Sequence, residues 1–174
     1  MTKLNLGCGN DIIPGWVNVD FIKKKGIDKV HNLNKYPYPF KDNTFDEIKC
    51  VEVVEHLDDT VATMKEIFRI LKPGGKVIIT VPYFLSVGAW SNPEHKRAFN
   101  YQTFKYFISG TDENSIHNIG INFSAGRIRL TYGKGFYPVN YVMGPLINAF
   151  PDFFERTFLK SFFHPDGIMV ELTK

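Results

Sequence analysis

Gly7 and Gly9 stand one residue apart in the run LNLGCGN, and Asp20 closes the run VNVD a short way downstream. Glycines so spaced at a strand end let the backbone turn sharply and let a ligand reach main-chain N–H groups without meeting a Cβ. A carboxylate ending the next strand can accept hydrogen bonds from both hydroxyls of a ribose. The chemistry suggested is nucleoside binding. A dinucleotide site would need a third glycine, in GxGxxG, and Ile12 stands there, which disfavours NAD. By itself the glycine pair describes an ordinary tight turn equally well.

A second set of reactive side chains follows later in the chain. PYFLSVGAWSNPEHKRAF supplies Tyr83, Trp90, Glu94 and His95. An imidazole is the side chain suited to proton transfer near neutral pH, so His95 is the candidate catalytic base, against the alternative of a structural histidine bonding backbone near a helix start. His56, in VVEHL, either reaches a ligand or caps and packs its turn. The two cysteines, Cys8 and Cys50, make no CxxC or Cys/His ligand spacing and no disulfide framework, so no metal is expected and a reducing compartment is.

Those residues need a scaffold of short strands. Apolar runs bounded by turn residues place strands at Lys3 to Leu6, Trp16 to Asp20, Ile27 to Leu33, Phe45 to Val51 and Lys76 to Val81. Asp58 to Thr60 offer N-cap side chains to a helix whose face is Val61, Met64, Ile67, Phe68 and Leu71, stopped by Pro73-Gly74-Gly75. A helix feeding directly into KVIITV is a parallel-sheet step. NYQTFKYFI predicts a second helix, and GRIRLTYG and GIMVELT predict late strands. Between these lies the aromatic-rich stretch 136–163, which is read as a lid, a membrane-surface patch or core filling.

The chain has 174 residues, enough for one domain, and its 44% hydrophobic and 22% charged content is that of a globular protein. A net charge of +3, scattered apart from Lys23 to Lys25, does not point to nucleic acid. A strand starting almost at the first methionine leaves no room for a signal peptide, and the longest uncharged run, 136–151, is too short and too broken by proline to span a bilayer. A cytoplasmic location is expected.

LNLGCGN, VNVD, HNLNKYPYPFKDNTFDEIKCVEVVEHL and EIFRILKPGGKVIITVPYF, in that order, resemble the class I S-adenosylmethionine-dependent methyltransferases, especially small type-11-like members. The resemblance is close over the first half of the chain and loose over the second. It implies a Rossmann-like α/β sheet, mostly parallel with an antiparallel edge strand, in a single domain whose residues 1–82 bind cofactor and 83–174 face the acceptor. Its implied cofactor is S-adenosylmethionine. Gly7, Cys8, Gly9 and Asn10 would line the methionine and ribose portions, Asp20 would hold the ribose and Phe21 would lie against the adenine. Asn32 and Leu33 would meet the adenine amino group, and Val51 and Glu52 would close the site. The implied reaction is methyl transfer to a small molecule such as a sugar or other hydroxylated metabolite. The alternatives are a non-catalytic cofactor-binding protein or an RNA or protein methyltransferase.

Two departures from that family stand out. The acid often found two places before the first glycine is Asn5 here, and only NDIIPGWVNV separates the glycine turn from Asp20, too little for a full helix. Lys3 and Asn5 alternate with Leu4 and Leu6, Asn18 with Val17 and Val19, and Glu47 and Lys49 with Ile48 and Cys50. Strands covered on both faces read as continuous apolar runs instead. One sheet face, carrying Lys3, Asn18 and Lys49, is therefore expected to be poorly covered by helices and either solvated or used to form a homodimer. Peripheral membrane contact through 136–163 is the other association considered.

Overall fold

The computed structural model describes residues 1–116, 119–133 and 137–174, with backbone only at 116 and 137–140. His117 and Phe136, considered in the sequence, lie outside the described residues. The chain runs β1 (Lys3–Leu6), β2 (Val17–Asp20), β3 (Lys29–Val30), β4 (Phe45–Val51), α1 (Thr60–Ile70), β5 (Leu71–Pro82), α2 (Val87–Ser91), α3 (Asp112–Ile116), β6 (Ala125–Thr131), α4 (Tyr137–Ala149), α5 (Pro151–Arg156) and β7 (Gly167–Thr173). These strands form one sheet in the order β3-β2-β1-β4-β5-β7-β6. β1 to β5 pair in parallel, and β7 is antiparallel to both β5 and β6. The edge strand β6 is antiparallel to its neighbour, as expected, and β7, antiparallel to both β5 and β6, lies one place in from the edge. β7, with Ile168, Val170 and Leu172 all buried, needs a neighbour on each side, and the more exposed β6 takes the edge.

The period-two alternation sorts the two faces. Leu4, Leu6, Val19, Ile48, Cys50, Val77, Ile79 and Val81 join the β7 residues on one face, and all are buried in the core. Helix α1 lies over that side. Asp59 caps it by accepting the Ala62 N–H at 2.9 Å, and Thr63, Met64, Ile67 and Ile70 are its buried positions. It ends at Ile70, because Leu71 is already extended and pairs with Phe45 in the sheet. The predicted second helix is instead a 3-10 turn at Thr103–Phe107 that buries Phe104 and Phe107, and the predicted third strand shrinks to Lys29–Val30.

The opposite face is polar. Lys3 and Glu47 sit in register and form an ion pair at 2.6 Å; Lys49 reaches Asp11 at 3.0 Å. Lys76, Arg127 and Glu171 continue the charged surface and are exposed. Neither the β1–β2 nor the β2–β3 connection contains a helix. Asn18, however, is buried rather than solvated. Its Oδ1 accepts the Ile13 N–H at 3.0 Å and the Asn5 amide at 3.1 Å, while its own amide donates to Ile13 O and Trp16 O. Asn5 also donates to Asp11 O at 2.6 Å. Two asparagines thereby hold the loop 11–16 down on this face, and Asn5 belongs to it.

At the far edge, Asn148 of α4 accepts the Leu130 N–H at 2.8 Å and donates to Leu130 O at 2.9 Å. A side-chain amide thus takes the place of a further strand and blocks one pairing position on β6. Within 136–163, Ile147 and Phe154 enter the core, whereas Tyr141, Phe150, Phe153, Phe158 and Phe162 are exposed. Core filling accounts for only part of that stretch.

Candidate cofactor and acceptor site

A cavity of about 530 Å³ opens beyond the carboxyl ends of β1, β2 and β4, where open parallel sheets bind ligands. The turn after β1 makes its floor. Gly7 and Gly9 have φ of 69° and 50°, in the left-handed region that glycine tolerates. At Gly7 a Cβ would also stand 2.5 Å from the Val53 side chain; at Gly9 it would point into open space. Gly7 is therefore required by the fold, and Gly9 leaves room for something outside it.

Asp20 is buried and accepts the Gly9 N–H at 2.8 Å through Oδ2 and the Ile22 N–H at 3.0 Å through Oδ1. A carboxylate offers about four lone-pair sites, so acceptor capacity remains for ligand hydroxyls. Phe21 beside it is exposed and lines the cavity with Asn32, Leu33 and Glu52. Glu52 holds φ at 53°, an uncommon conformation for a residue with a side chain and one that concentrates at functional sites.

Of the residues nominated from sequence, Gly7, Asp20, Phe21, Asn32, Leu33 and Glu52 come together on the cavity wall. Gly9 joins them only through its bond to Asp20. Cys8 is buried behind the turn, where desolvation pushes its thiol up from the ordinary value. Asn10 is exposed and accepts a hydrogen bond from Lys24. Val51 pairs with Thr80 inside the sheet. The Oδ1 of Asn32 already accepts the Asn34 N–H at 2.9 Å, an Asx turn that shapes the rim.

The opposite wall is built by two loops. One, after β4, carries Val53, His56 and Leu57; the other, after α2, carries Pro93, Glu94 and Lys96. The Lys96 N–H donates to Glu55 O at 2.8 Å, Lys96 Nζ pairs with Asp58 at 2.5 Å and Arg97 donates to Asp58 O at 2.6 Å, so the loops are tied together. His95 stands behind this wall, its ring edge-on to His56 with centroids 4.6 Å apart and its Nδ1 3.2 Å from Ala89 O. A carbonyl only accepts, so Nδ1 carries the proton in that bond. Glu55 is fully buried, and neither carboxylate oxygen has a hydrogen-bond partner. Burial, with the nearby Glu52 charge, pushes its carboxyl up to about 8.

Sequence reasoning passed over Val53, whose role follows only from its contact with Gly7, and the carboxylate of Glu55. For Glu55 a signal existed: an acid four places after the end of β4, directly after two valines and next to a histidine.

Fold and site define a Rossmann-like α/β sheet with a ligand-sized cavity at the glycine turn after β1. Residues 4–79 match the family model described as a methyltransferase domain. Over 60 residues the chain is 43% identical to the sterol 24-C-methyltransferase of Aspergillus fumigatus, covering 33% of this chain and 15% of that protein. It is 28% identical over 113 residues to the ubiquinone/menaquinone biosynthesis C-methyltransferase of Pseudoalteromonas translucida, covering 57% of this chain and 41% of that one. The chain therefore matches less than half the length of either relative. A SAM-dependent methyltransferase from Archaeoglobus fulgidus shares the fold with a TM-score of 0.65 at 18% identity, over 99% of this chain and 86% of that one. The resemblance to class I methyltransferases read from the sequence is thus upheld by the domain match and by the fold.

Proposed function

We propose that the chain is an S-adenosylmethionine-dependent methyltransferase acting on a small, hydroxylated molecule. The observation that carries this is the Gly7–Gly9 turn bonded to Asp20 on the floor of a cavity large enough for a nucleoside with an amino-acid tail. These residues fit the cofactor: a carboxylate with spare acceptor sites, an exposed aromatic ring and a turn where Gly9 has no Cβ to obstruct approach. When bound, S-adenosylmethionine supplies a methyl group on a sulfonium, open to in-line displacement.

The chain's own part is to hold and align. Asp20 binds the ribose hydroxyls, Phe21 covers the adenine, and Asn32 and Leu33 border it. Gly7, Cys8, Gly9 and Asn10 form the turn beneath the rest, and Val51 and Glu52 close the β4 side. Alignment and exclusion of water supply most of the rate. With Nδ1–H committed to Ala89, Nε2 of His95 is left free as a proton acceptor; because the ring stands behind His56 and off the cavity lining, the proton of a hydroxyl nucleophile would reach it past His56 on the wall. In this reading residues 1–82 serve the cofactor and 83–174 the acceptor, within a single domain.

The names of the sterol and quinone methyltransferases favour an apolar acceptor over the sugar considered from sequence. The exposed aromatics of 136–163 support the same choice, either as a lid or by resting on a membrane surface that supplies the acceptor. No helix among the described residues is long and apolar enough to cross a membrane. A cytoplasmic location and self-association through the polar sheet face complete the proposal.

The test is calorimetry with S-adenosylhomocysteine, followed by radiolabelled methyl transfer to a panel of sugars, quinols and sterols. Binding with transfer to a quinol or sterol is expected. Absence of binding removes the proposal, and binding without transfer to any acceptor class favours a non-catalytic cofactor-binding protein.

A further inference from the structure

We propose that Glu55, His56 and His95 bind a divalent transition-metal cation at the acceptor end of the cavity. One ligand atom from each lies within 4.8 Å of the others. Donor atoms about 2.1 Å from a shared ion stand roughly 3 Å or more from one another, so small side-chain rotations close the set. Two imidazoles and a carboxylate suit zinc, iron(II), cobalt or manganese and leave coordination positions open.

Three features indicate that the group is built to hold an ion. Glu55 is fully buried with both carboxylate oxygens unpartnered, a state that native proteins rarely keep without a partner such as an ion or water. The Nδ1–H of His95 is held by Ala89 O, which fixes the ring and directs Nε2 as the free ligand atom, the usual arrangement of a metal-binding histidine. The two ligand-bearing loops are already joined through Lys96 to Glu55 and Asp58, and the Lys96 ammonium is drawn to Asp58.

His56 lines the cavity, so an ion bound there adjoins the space assigned to the acceptor. Its role in catalysis rests on the methyltransferase reading: with the ion absent Nε2 of His95 is the proton acceptor, and with it bound Nε2 is a ligand and the cation lowers the pKa of a coordinated acceptor hydroxyl, whose proton passes to solvent water. Its binding does not depend on that reading.

Chelator-treated protein, titrated calorimetrically with zinc and cobalt(II) chloride without cofactor or acceptor, tests the site. One ion per chain, at micromolar affinity or tighter, is expected, with visible cobalt absorption from nitrogen ligation. Glu55→Gln and His95→Ala should each weaken binding roughly tenfold or more. Asp20→Ala should leave it unchanged. If Glu55→Gln does not fold, the partly exposed His95 carries the comparison. No binding by the wild-type protein, or undiminished binding in the folded variants, overturns the proposal. Failure of methyl transfer leaves this outcome untouched, because neither cofactor nor acceptor is present.

Discussion

The Asp20 carboxylate accepts the Gly9 amide proton at 2.8 Å, so the side chain assigned to the ribose also holds the turn on which the cofactor would rest. Asp20→Ala removes that contact, the bond from Ile22 N–H and any bond from a ribose. Loss of the charged acceptor should cost about 1.5–3 kcal/mol in binding, or roughly tenfold or more in affinity for S-adenosylhomocysteine. Calorimetry on the folded variant measures it. Unchanged affinity would detach Asp20 from the cofactor.

Gly7 and Gly9 should separate under substitution by alanine. Gly7→Ala incurs both the left-handed backbone and the collision with Val53, and should lower stability by more than the roughly 1–2 kcal/mol of the backbone term. Gly9→Ala incurs the backbone term alone, and its new methyl group should instead weaken cofactor binding. Urea denaturation alongside calorimetry distinguishes them, and Gly7→Ala paired with Val53→Ala should recover part of the loss. Equal stability losses in the two single variants would count against the Val53 contact.

Asn18→Ala should release the loop 11–16, since it leaves Ile13 N–H and two carbonyls without their side-chain partner. A destabilisation of about 1–3 kcal/mol is expected by denaturant titration. Hydrogen exchange should rise first at Ile13. Protection unchanged there would mean that the asparagine pair does not hold the loop.

His95→Ala should leave S-adenosylhomocysteine affinity nearly intact and reduce turnover by about a hundredfold or more, whether the imidazole acts as base or as ligand. The two readings part on added metal: chelation of the wild-type enzyme slows transfer only if the cation takes part. Full activity in His95→Ala would return the ring to a structural role behind His56.

Glu155 provides a pH-dependent test. It is buried, its Oε2 accepts the Tyr83 hydroxyl at 2.9 Å, and desolvation raises its carboxyl above the ordinary value of 4.5. The folded state therefore retains a proton that the unfolded chain loses sooner, so this contribution is full below 4.5 and is lost as pH rises through the raised value. Stability measured across that interval should fall less steeply in Glu155→Gln. An identical slope in variant and wild type would show that Glu155 does not titrate in this window.

The sequence alone determined the β1 and β4 strands, helix α1, the two-faced character of the sheet and the association of Gly7, Gly9 and Asp20. Each rests on local periodicity, a cap or a backbone conformation, which short stretches encode. Tertiary structure decided the rest. Whether β7 lies inside the sheet depends on which strands flank it, and a strand's own residues do not name its neighbours. Asn18 reads as a polar, solvated position until loop 11–16 folds over it and turns its amide into a clasp. The collision that bars a side chain at Gly7 comes from Val53, and Glu55 becomes significant only because His95, brought from the loop after α2, stands beside His56. These are contacts between segments distant along the chain, and the packing that creates them depends on shape and burial in three dimensions rather than on any pattern within one segment.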